Sequence, residues 1–195
     1  MTTERQSGMR FSAILLAGGM SRRMGQDKAR LPWRGGTLWE HQLEILRNLG
    51  PEELMISCRP GQDYEAPGTL LIPDEQAGLG PLSGIAAALQ RMQTEWLVVL
   101  AVDLPEMPAR YLKTLLDRAH QSGKGMVPIR DGWYEPLAAV YPKACAKLAS
   151  SQLREEDRSL QCLVTNARAG GLVEPVFVRE DEAFIFHNLN ESSDL

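Results

Sequence analysis

The sequence predicts a three-layer α/β sandwich, in which helices cover both faces of a mainly parallel sheet. Two observations predict this class. Short apolar runs alternate with segments of helical spacing through the first two thirds of the chain, as expected for strands joined by right-handed crossover helices. Glycines and prolines mark the boundaries between these segments. The 195 residues, 44% of them apolar, fit one domain over residues 1–195.

The first half of the chain contains the clearest elements. A capping-box pattern, Thr37-Leu-Trp-Glu40, opens a helix that stops at Gly50-Pro51. Short apolar runs between turn-forming residues predict strands over residues 11–17, 54–58, 69–72 and 96–102. The helices that join them are predicted over residues 37–49 and 80–92.

The second half has a looser pattern. A helix predicted over residues 109–121 follows the central strand, and an Asp131-Gly132 turn lies between two further strands. These strands and the last predicted ones cover residues 126–129, 136–141, 173–178 and 183–187. Helical stretches are predicted near residues 143–153 and 159–168.

Charge is distributed unevenly along the chain. The net charge is −4, but residues 1–34 hold seven Lys and Arg side chains against two acidic ones, so the remaining residues sum to −9. A local basic region on an acidic protein favours a site for a small polyphosphate, because nucleic-acid binding usually needs a broader basic face. A solvated basic stretch is the alternative that charge alone leaves open.

The composition argues against several other classes of protein. The longest apolar run is a third of the length that crosses a membrane, and residues 1–10 lack the apolar stretch of a signal peptide. We therefore expect a cytoplasmic protein with no membrane partner. Cys58, Cys145 and Cys162 lie far apart without CxxC or HExxH spacing, which disfavours a disulfide frame or a zinc site. Any metal is expected to have oxygen ligands.

Candidate functional residues directly follow predicted strands, where ligands of open α/β sheets gather. The segment from Gly18 to Lys28 combines adjacent glycines, which expose main-chain N–H groups to a phosphate, with Arg22, Arg23 and Lys28, which supply positive charge. It is neither a Walker A loop nor a GxGxxG fingerprint, and no acidic residue ends the second strand to hold a ribose. P-loop and NAD-binding proteins are therefore disfavoured.

Five motifs occur in order over nearly the whole chain: Leu16-Ala-Gly-Gly-x-Ser-Arg-Arg-Met-Gly-x-Asp-Lys28, Ile72-Pro-Asp74 with Gly80-Pro-Leu-Ser-Gly84, Val102-Asp-Leu-Pro105, Glu135-Pro-Leu-Ala-Ala-Val-Tyr141 and Asn188-Leu-Asn190. This set resembles the nucleotidyltransferases that complete the molybdenum cofactor, most closely the guanylyltransferase family called MobA. The resemblance implies a Rossmann-like sheet of the nucleotide-diphospho-sugar transferase type. It also implies a nucleotide-binding part, about 10–108, and an acceptor-binding part, about 109–195.

The resemblance further implies an enzyme that transfers GMP from GTP to the terminal phosphate of molybdenum-molybdopterin and releases pyrophosphate. It assigns catalysis to Lys28, Arg23 and Asp103, with Asp103 as the ligand of Mg²⁺, a role that suits a carboxylate just past a buried strand. It places acceptor contacts on Asn188 and Asn190. It places nucleotide contacts on Leu16, Ala17, Gly18, Gly19, Arg22, Lys28, Asp74 and Asp103. Contact with a molybdenum-insertion protein and with molybdoenzyme chaperones is implied as well.

The residues alone leave structural roles open for some of these positions. A turn or helix cap is the alternative role of Asp103 and Asp74, and solvated amides of an edge strand are the alternative for Asn188 and Asn190. The family's proline and helix after the asparagine motif are absent here. This departure weakens the acceptor assignments more than the nucleotide assignments.

Other functions compete with guanylyl transfer. A CTP-dependent cytidylyltransferase for the same acceptor more often carries LAAG where this chain has Leu16-Ala-Gly-Gly19, so the glycine pair favours GTP. A sugar-phosphate nucleotidyltransferase fits the motif set less well. A nucleotide-sensing module without catalysis would be expected to lose Asp103 or Lys28, and both are present.

Overall fold

Strands and helices alternate along residues 9–18, 27–59, 61–73 and 79–189, which the computed structural model describes. The strands are β1 (Phe11–Leu16), β2 (Pro32–Trp33), β3 (Gly36–Thr37), β4 (Glu53–Cys58), β5 (Thr69–Pro73), β6 (Trp96–Ala101), β7 (Gly125–Arg130), β8 (Trp133–Tyr134), β9 (Ala138–Pro142) and β10 (Val173–Phe177). The α-helices are α1 (Leu38–Arg47), α2 (Pro81–Arg91), α3 (Ala109–Ser122), α4 (Ala146–Gln152) and α5 (Leu160–Ala169). Short 3₁₀ helices cover Lys28–Arg30, Lys143–Cys145 and Glu180–Phe186.

One main sheet runs through the described chain in the order β10-β7-β9-β6-β1-β4-β5, with β8 paired to β7. The neighbours β6, β1, β4 and β5 are all parallel, as are β7 and β10, whereas β9 runs antiparallel to both β6 and β7. The prediction of a mainly parallel sheet is confirmed. Because β6, β1 and β4 are parallel neighbours, the segments that follow them emerge at one edge, which we call the carboxyl edge.

Apolar side chains alternate between the two faces of this sheet. In β1, Ala13 and Leu15 pack with α1 and α3 on one face, while Ile14 and Leu16 pack with α2, α4 and α5 on the other. All four side chains are buried, as expected for a central strand covered on both faces. The structure therefore has the three predicted layers.

Most predicted elements are confirmed with small shifts at their ends. Glu40 accepts hydrogen bonds from the main-chain N and hydroxyl of Thr37, which forms the predicted start of α1. Asp131 and Gly132 both have positive φ, 51° and 82°, and join β7 to β8 in the predicted turn.

Three details of the prediction were wrong, one of them the short strand β8, which was not predicted and pairs antiparallel with β7. The strand predicted near 183–187 is the 3₁₀ helix Glu180–Phe186, because the acidic residues of its first turn suit a helix N-terminus. A hairpin of β2 and β3 was also missed. Arg34 and Gly35 form its turn with φ of 46° and 87°.

Candidate active site

Main-chain hydrogen bonds draw together the loops at the carboxyl edge. Val102 N, just after β6, donates to Leu16 O at 3.1 Å, and Ala17 N donates to Ser57 O at 3.0 Å. The chain after β1 and the chain after β6 therefore leave the sheet side by side. Gly84 of α2 packs against the same edge, because a Cβ atom there would lie only 2.5 Å from Ser57 Oγ.

Asp103 is a half-buried carboxylate directly beyond the central strand. Its Oδ1 atom is inaccessible to solvent and forms no hydrogen bond with any described residue. Burial raises the pKa of the Asp103 carboxyl above its ordinary value, and the positive charge of Lys28 lowers it by a smaller amount. An orphaned carboxylate oxygen of this kind is a site for a cation or a donor that arrives with a ligand.

Lys28 lies in a short 3₁₀ helix that Asp27 caps. Asp27 Oδ1 accepts from Ala29 N at 3.2 Å, and Asp27 Oδ2 accepts from Gln62 Nε2 at 2.6 Å, so the start of the helix is tied to the loop after β4. From this fixed base the Lys28 ammonium donates to Leu189 O at 2.7 Å. The ammonium has three N–H donors, and this bond occupies one of them.

Leu189 connects the two predicted catalytic residues. Its main-chain N donates to Asp103 O at 2.9 Å while its carbonyl accepts from Lys28. Its side chain is 2% exposed and lies in the same core cluster as Leu104 and Phe186. The sequence motif places Leu189 between two asparagines, and no functional role was predicted for it. The alternation of an apolar residue with two amides was the available signal that it points inward.

The structure thus brings together some of the predicted residues and does not describe others. Leu16, Ala17, Gly18, Lys28 and Asp103 lie at the carboxyl edge. Asn188 is exposed and directly precedes Leu189 in the chain. The remaining predicted residues lie outside the described part of the chain, namely Gly19, Arg22, Arg23, Asp74 and Asn190.

A metal ion at this edge would have few protein ligands. Within the described ranges, no three His, Cys, Asp or Glu side chains are grouped to hold a metal ion. Mg²⁺ commonly takes one or two carboxylates and completes its octahedron with water and substrate phosphates. The unpartnered Asp103 oxygen fits that requirement.

Glu135 turns out to be an ion-pair partner within the structure. Arg130 Nε donates to Glu135 Oε1 at 3.1 Å, and both side chains are partly buried. This contact favours a structural role for Glu135 over substrate binding.

A groove of about 470 Å³ lies away from these residues. Tyr111 and Arg118 of α3 line one side, and Phe177 and Phe184 line the other. None of the predicted site residues lines it. The candidate active site is therefore the carboxyl edge around Asp103 and Lys28.

No helix in the described part is long and apolar enough to cross a bilayer.

Similarity to known proteins agrees with this geometry. Residues 13–170 match the model of the MobA-like NTP transferase domain. The chain belongs to this family. The probable molybdenum cofactor guanylyltransferase of Opitutus terrae is 39% identical over 187 residues, which are 94% of this chain and 92% of the relative. The molybdenum cofactor guanylyltransferase of Pseudomonas putida is 34% identical over 83% of this chain and 85% of its own.

Two solved structures share the fold of this chain. Molybdopterin-guanine dinucleotide biosynthesis protein A from Archaeoglobus fulgidus has a TM-score of 0.75 and 26% identity over 94% of each chain. The 2-C-methyl-D-erythritol 4-phosphate cytidylyltransferase from Thermus thermophilus has a TM-score of 0.67 at 17% identity over 93% of each chain. The predicted Rossmann-like sheet of nucleotidyltransferase type is confirmed.

Proposed function

We propose that this MobA-like NTP transferase moves GMP from GTP to the terminal phosphate of molybdenum-molybdopterin and releases pyrophosphate. One observation carries the proposal: Asp103, whose Oδ1 has no hydrogen-bond partner among the described residues, and the Lys28 ammonium lie at one sheet edge, where Leu189 contacts the main-chain carbonyl of Asp103 and the Lys28 ammonium. The names of relatives that match over most of the chain support the choice of donor and acceptor.

In the proposed reaction, an oxygen of the acceptor's terminal phosphate attacks the α-phosphorus of GTP. A phosphoanhydride bond forms while the bond from the α-phosphorus to the α,β-bridging oxygen breaks. Pyrophosphate leaves with that bond's electron pair. Negative charge grows on the leaving group, so fixed positive charge beside it lowers the barrier.

Lys28 supplies this charge in the proposal. With one donor held by Leu189 O, its ammonium keeps two N–H groups for phosphate oxygens. Arg23 is the second proposed catalytic cation, and Arg22 is assigned to nucleotide binding. These two assignments rest on the sequence motif.

The remaining nucleotide contacts follow the same motifs. Main-chain groups of Leu16, Ala17, Gly18 and Gly19 are proposed to meet the nucleotide. Asp74 is proposed to accept hydrogen bonds from the sugar or the base.

Asp103 is the residue that would hold Mg²⁺. When bound, the ion neutralises and orients the oxygens of the triphosphate. The chain's own part is to keep one carboxylate oxygen free and rigidly placed beyond β6, which the buried strand achieves.

Asn188 and Asn190 are proposed to meet the acceptor. The exposed Asn188 side chain adjoins Leu189, and so the acceptor would bind next to the residue that contacts Lys28 and Asp103. The proposal also includes three cellular features. A molybdenum-insertion protein delivers the acceptor, molybdoenzyme chaperones contact the enzyme, and the reaction takes place in the cytoplasm.

Release of pyrophosphate tests this function. Purified protein is mixed with Mg²⁺, molybdopterin-bound molybdenum and either GTP or CTP, and pyrophosphate is measured with and without the acceptor. We expect acceptor-dependent release from GTP and much less from CTP. Faster release from CTP would contradict the choice of nucleotide, and no release from either would contradict the function.

The glycine pair explains the expected preference and gives a second test. A side chain at position 19 would keep the main chain away from the base. Gly19→Ala should therefore slow pyrophosphate release from GTP and reduce the preference for GTP over CTP. Equal use of GTP by both proteins would remove this argument.

A further inference from the structure

Lys28 and Asp103 lie 75 residues apart in the chain, yet the main chain of one residue, Leu189, contacts both. Leu189 N donates to Asp103 O at 2.9 Å, and Leu189 O accepts from Lys28 Nζ at 2.7 Å. Fixing the relative position of two charged groups is what a phosphoryl-transfer site requires, because small displacements of such groups reduce the rate strongly.

The bond to Lys28 also limits where its ammonium can go. A lysine side chain is flexible and loses considerable rotamer entropy when it is held in one place. The Leu189 carbonyl holds the ammonium before any substrate arrives, so less of this cost remains when phosphate binds.

The position of Leu189 is itself fixed by packing. Its side chain is 2% exposed and belongs to the core cluster that includes Leu104 and Met107 of the chain after β6 and Ala29 beside Lys28. The preceding 3₁₀ helix is closed by a bond from His187 N to Phe184 O at 3.1 Å. Leu189 therefore follows an element that Ile185 and Phe186 anchor in the core.

We infer that Leu189 is a positioning residue: its carbonyl oxygen orients the Lys28 ammonium toward the triphosphate, and its main-chain N–H holds the Asp103 loop beside it. This inference rests on the proposed function. Asn188 directly precedes Leu189, so an acceptor bound to Asn188 would contact the same segment that orients Lys28.

A double-mutant cycle tests whether Leu189 acts through Lys28. The variants are Leu189→Ala, Lys28→Ala and the double variant, with Leu189→Met as the conservative change that keeps the buried volume. GTP affinity is measured in EDTA, where metal binding plays no part, and turnover is measured with Mg²⁺ and acceptor.

Lys28→Ala should weaken GTP binding in EDTA by about tenfold or more, the size expected for a charge-assisted hydrogen bond. Leu189→Ala should weaken GTP binding about threefold to tenfold and lower kcat, and it should have almost no further effect on GTP binding when Lys28 is already absent. Leu189→Met should keep GTP affinity and kcat close to the wild-type values.

Leu116→Ala is the matched control, since Leu116 is 3% exposed in the same core cluster and belongs to α3. It should lower thermal stability as Leu189→Ala does but leave GTP affinity unchanged in both backgrounds. If Leu189→Ala does not fold, Leu189→Val, which removes one methylene, replaces it in the same cycle.

Independent effects of Leu189→Ala and Lys28→Ala would overturn the inference and leave the proposed function standing. The same applies if Leu116→Ala reproduces the coupling with Lys28. Wild-type protein that neither binds nor consumes GTP would overturn the proposed function and the inference with it.

Discussion

Buried polar groups at the two ends of the central strands differ in whether they have hydrogen-bond partners. At the amino ends, Ser12 Oγ donates to Glu53 Oε2 at 2.6 Å, Gln93 N donates to the same oxygen at 2.8 Å, and the hydroxyls of Ser12 and Thr94 are bonded at 2.7 Å. At the carboxyl ends, Asp103 Oδ1 has no hydrogen-bond partner within the described residues.

Each end contains a lysine that donates to a main-chain carbonyl. Lys143 Nζ donates to Met92 O at 2.8 Å near the amino ends, and Lys28 Nζ donates to Leu189 O at 2.7 Å near the carboxyl ends. The local bonds are alike, but the surroundings differ. Buried groups that are satisfied by the fold stabilise it, whereas a buried carboxylate left unpaired reduces stability until a ligand completes it.

The largest effect on turnover is expected for Lys28→Ala. Loss of one preorganised charge donor should raise the barrier by about 2–4 kcal/mol, while the fold stays intact. Lys143→Ala is the matched control: it should lower the free energy of unfolding by about 1–3 kcal/mol without changing turnover. Pyrophosphate release and urea denaturation of both variants measure the two effects. A Lys28→Ala enzyme within about threefold of wild type would show that Lys28 does not contact the triphosphate.

Asp103→Asn should reduce turnover by about 10² or more, because it keeps the size of the side chain and removes the charge that attracts Mg²⁺. GTP affinity measured in EDTA should hardly change. Wild-type turnover in this variant would contradict the role of Asp103 as metal ligand.

The amino-end network can be broken without touching the site. Thr94→Val removes the hydroxyl bonded to Ser12 and should lower the free energy of unfolding by about 1–3 kcal/mol. Turnover at saturating substrate should stay within about twofold of wild type. A large loss of turnover in a folded Thr94→Val protein would remove the contrast between the two ends.

The smallest expected effect is on the pH dependence of stability. Because burial raises the folded-state pKa of Asp103 above its unfolded value, wild type should lose stability as pH rises from the ordinary Asp value of about 3.9 through the raised folded value. Asp103→Asn lacks this loss. Its free energy of unfolding relative to that of wild type should therefore rise over this pH range and then stay constant. Urea denaturation of metal-free protein across pH checks the sign, and an advantage that grows toward low pH would contradict it.

The sequence predicted the carboxyl-edge site better than the amino-end network, for a physical reason. Asp103 and Lys28 stand out because each follows a predicted strand or glycine loop, where topology alone places ligand contacts. Ser12, Glu53 and Thr94 are ordinary residue types separated by 41 and 82 positions, and only the pairing of β1 with β4 and β6 brings them together.

Local pattern also missed the role of Leu189 and the 3₁₀ helix before it. Both depend on how the chain beyond β10 packs back onto the core, since Leu189 contacts loops 86 and 161 residues away in sequence. Strand and helix periods carry no information about such long-range main-chain contacts. Arg22, Arg23, Asp74 and Asn190 lie outside the described residues, so their placement stays a prediction, as does the role of Asn188.

We expect Asp103, whose Oδ1 has no hydrogen-bond partner among the described residues, to bind the metal that accompanies the triphosphate. A crystal of the wild-type protein soaked with GTP and Mn²⁺ tests this expectation, because anomalous scattering locates the metal without assumptions about the ligand. A metal peak should lie within bonding distance of an Asp103 carboxylate oxygen, and the Lys28 ammonium should contact the triphosphate. A metal peak bound to GTP but more than one coordination shell from Asp103 would contradict it.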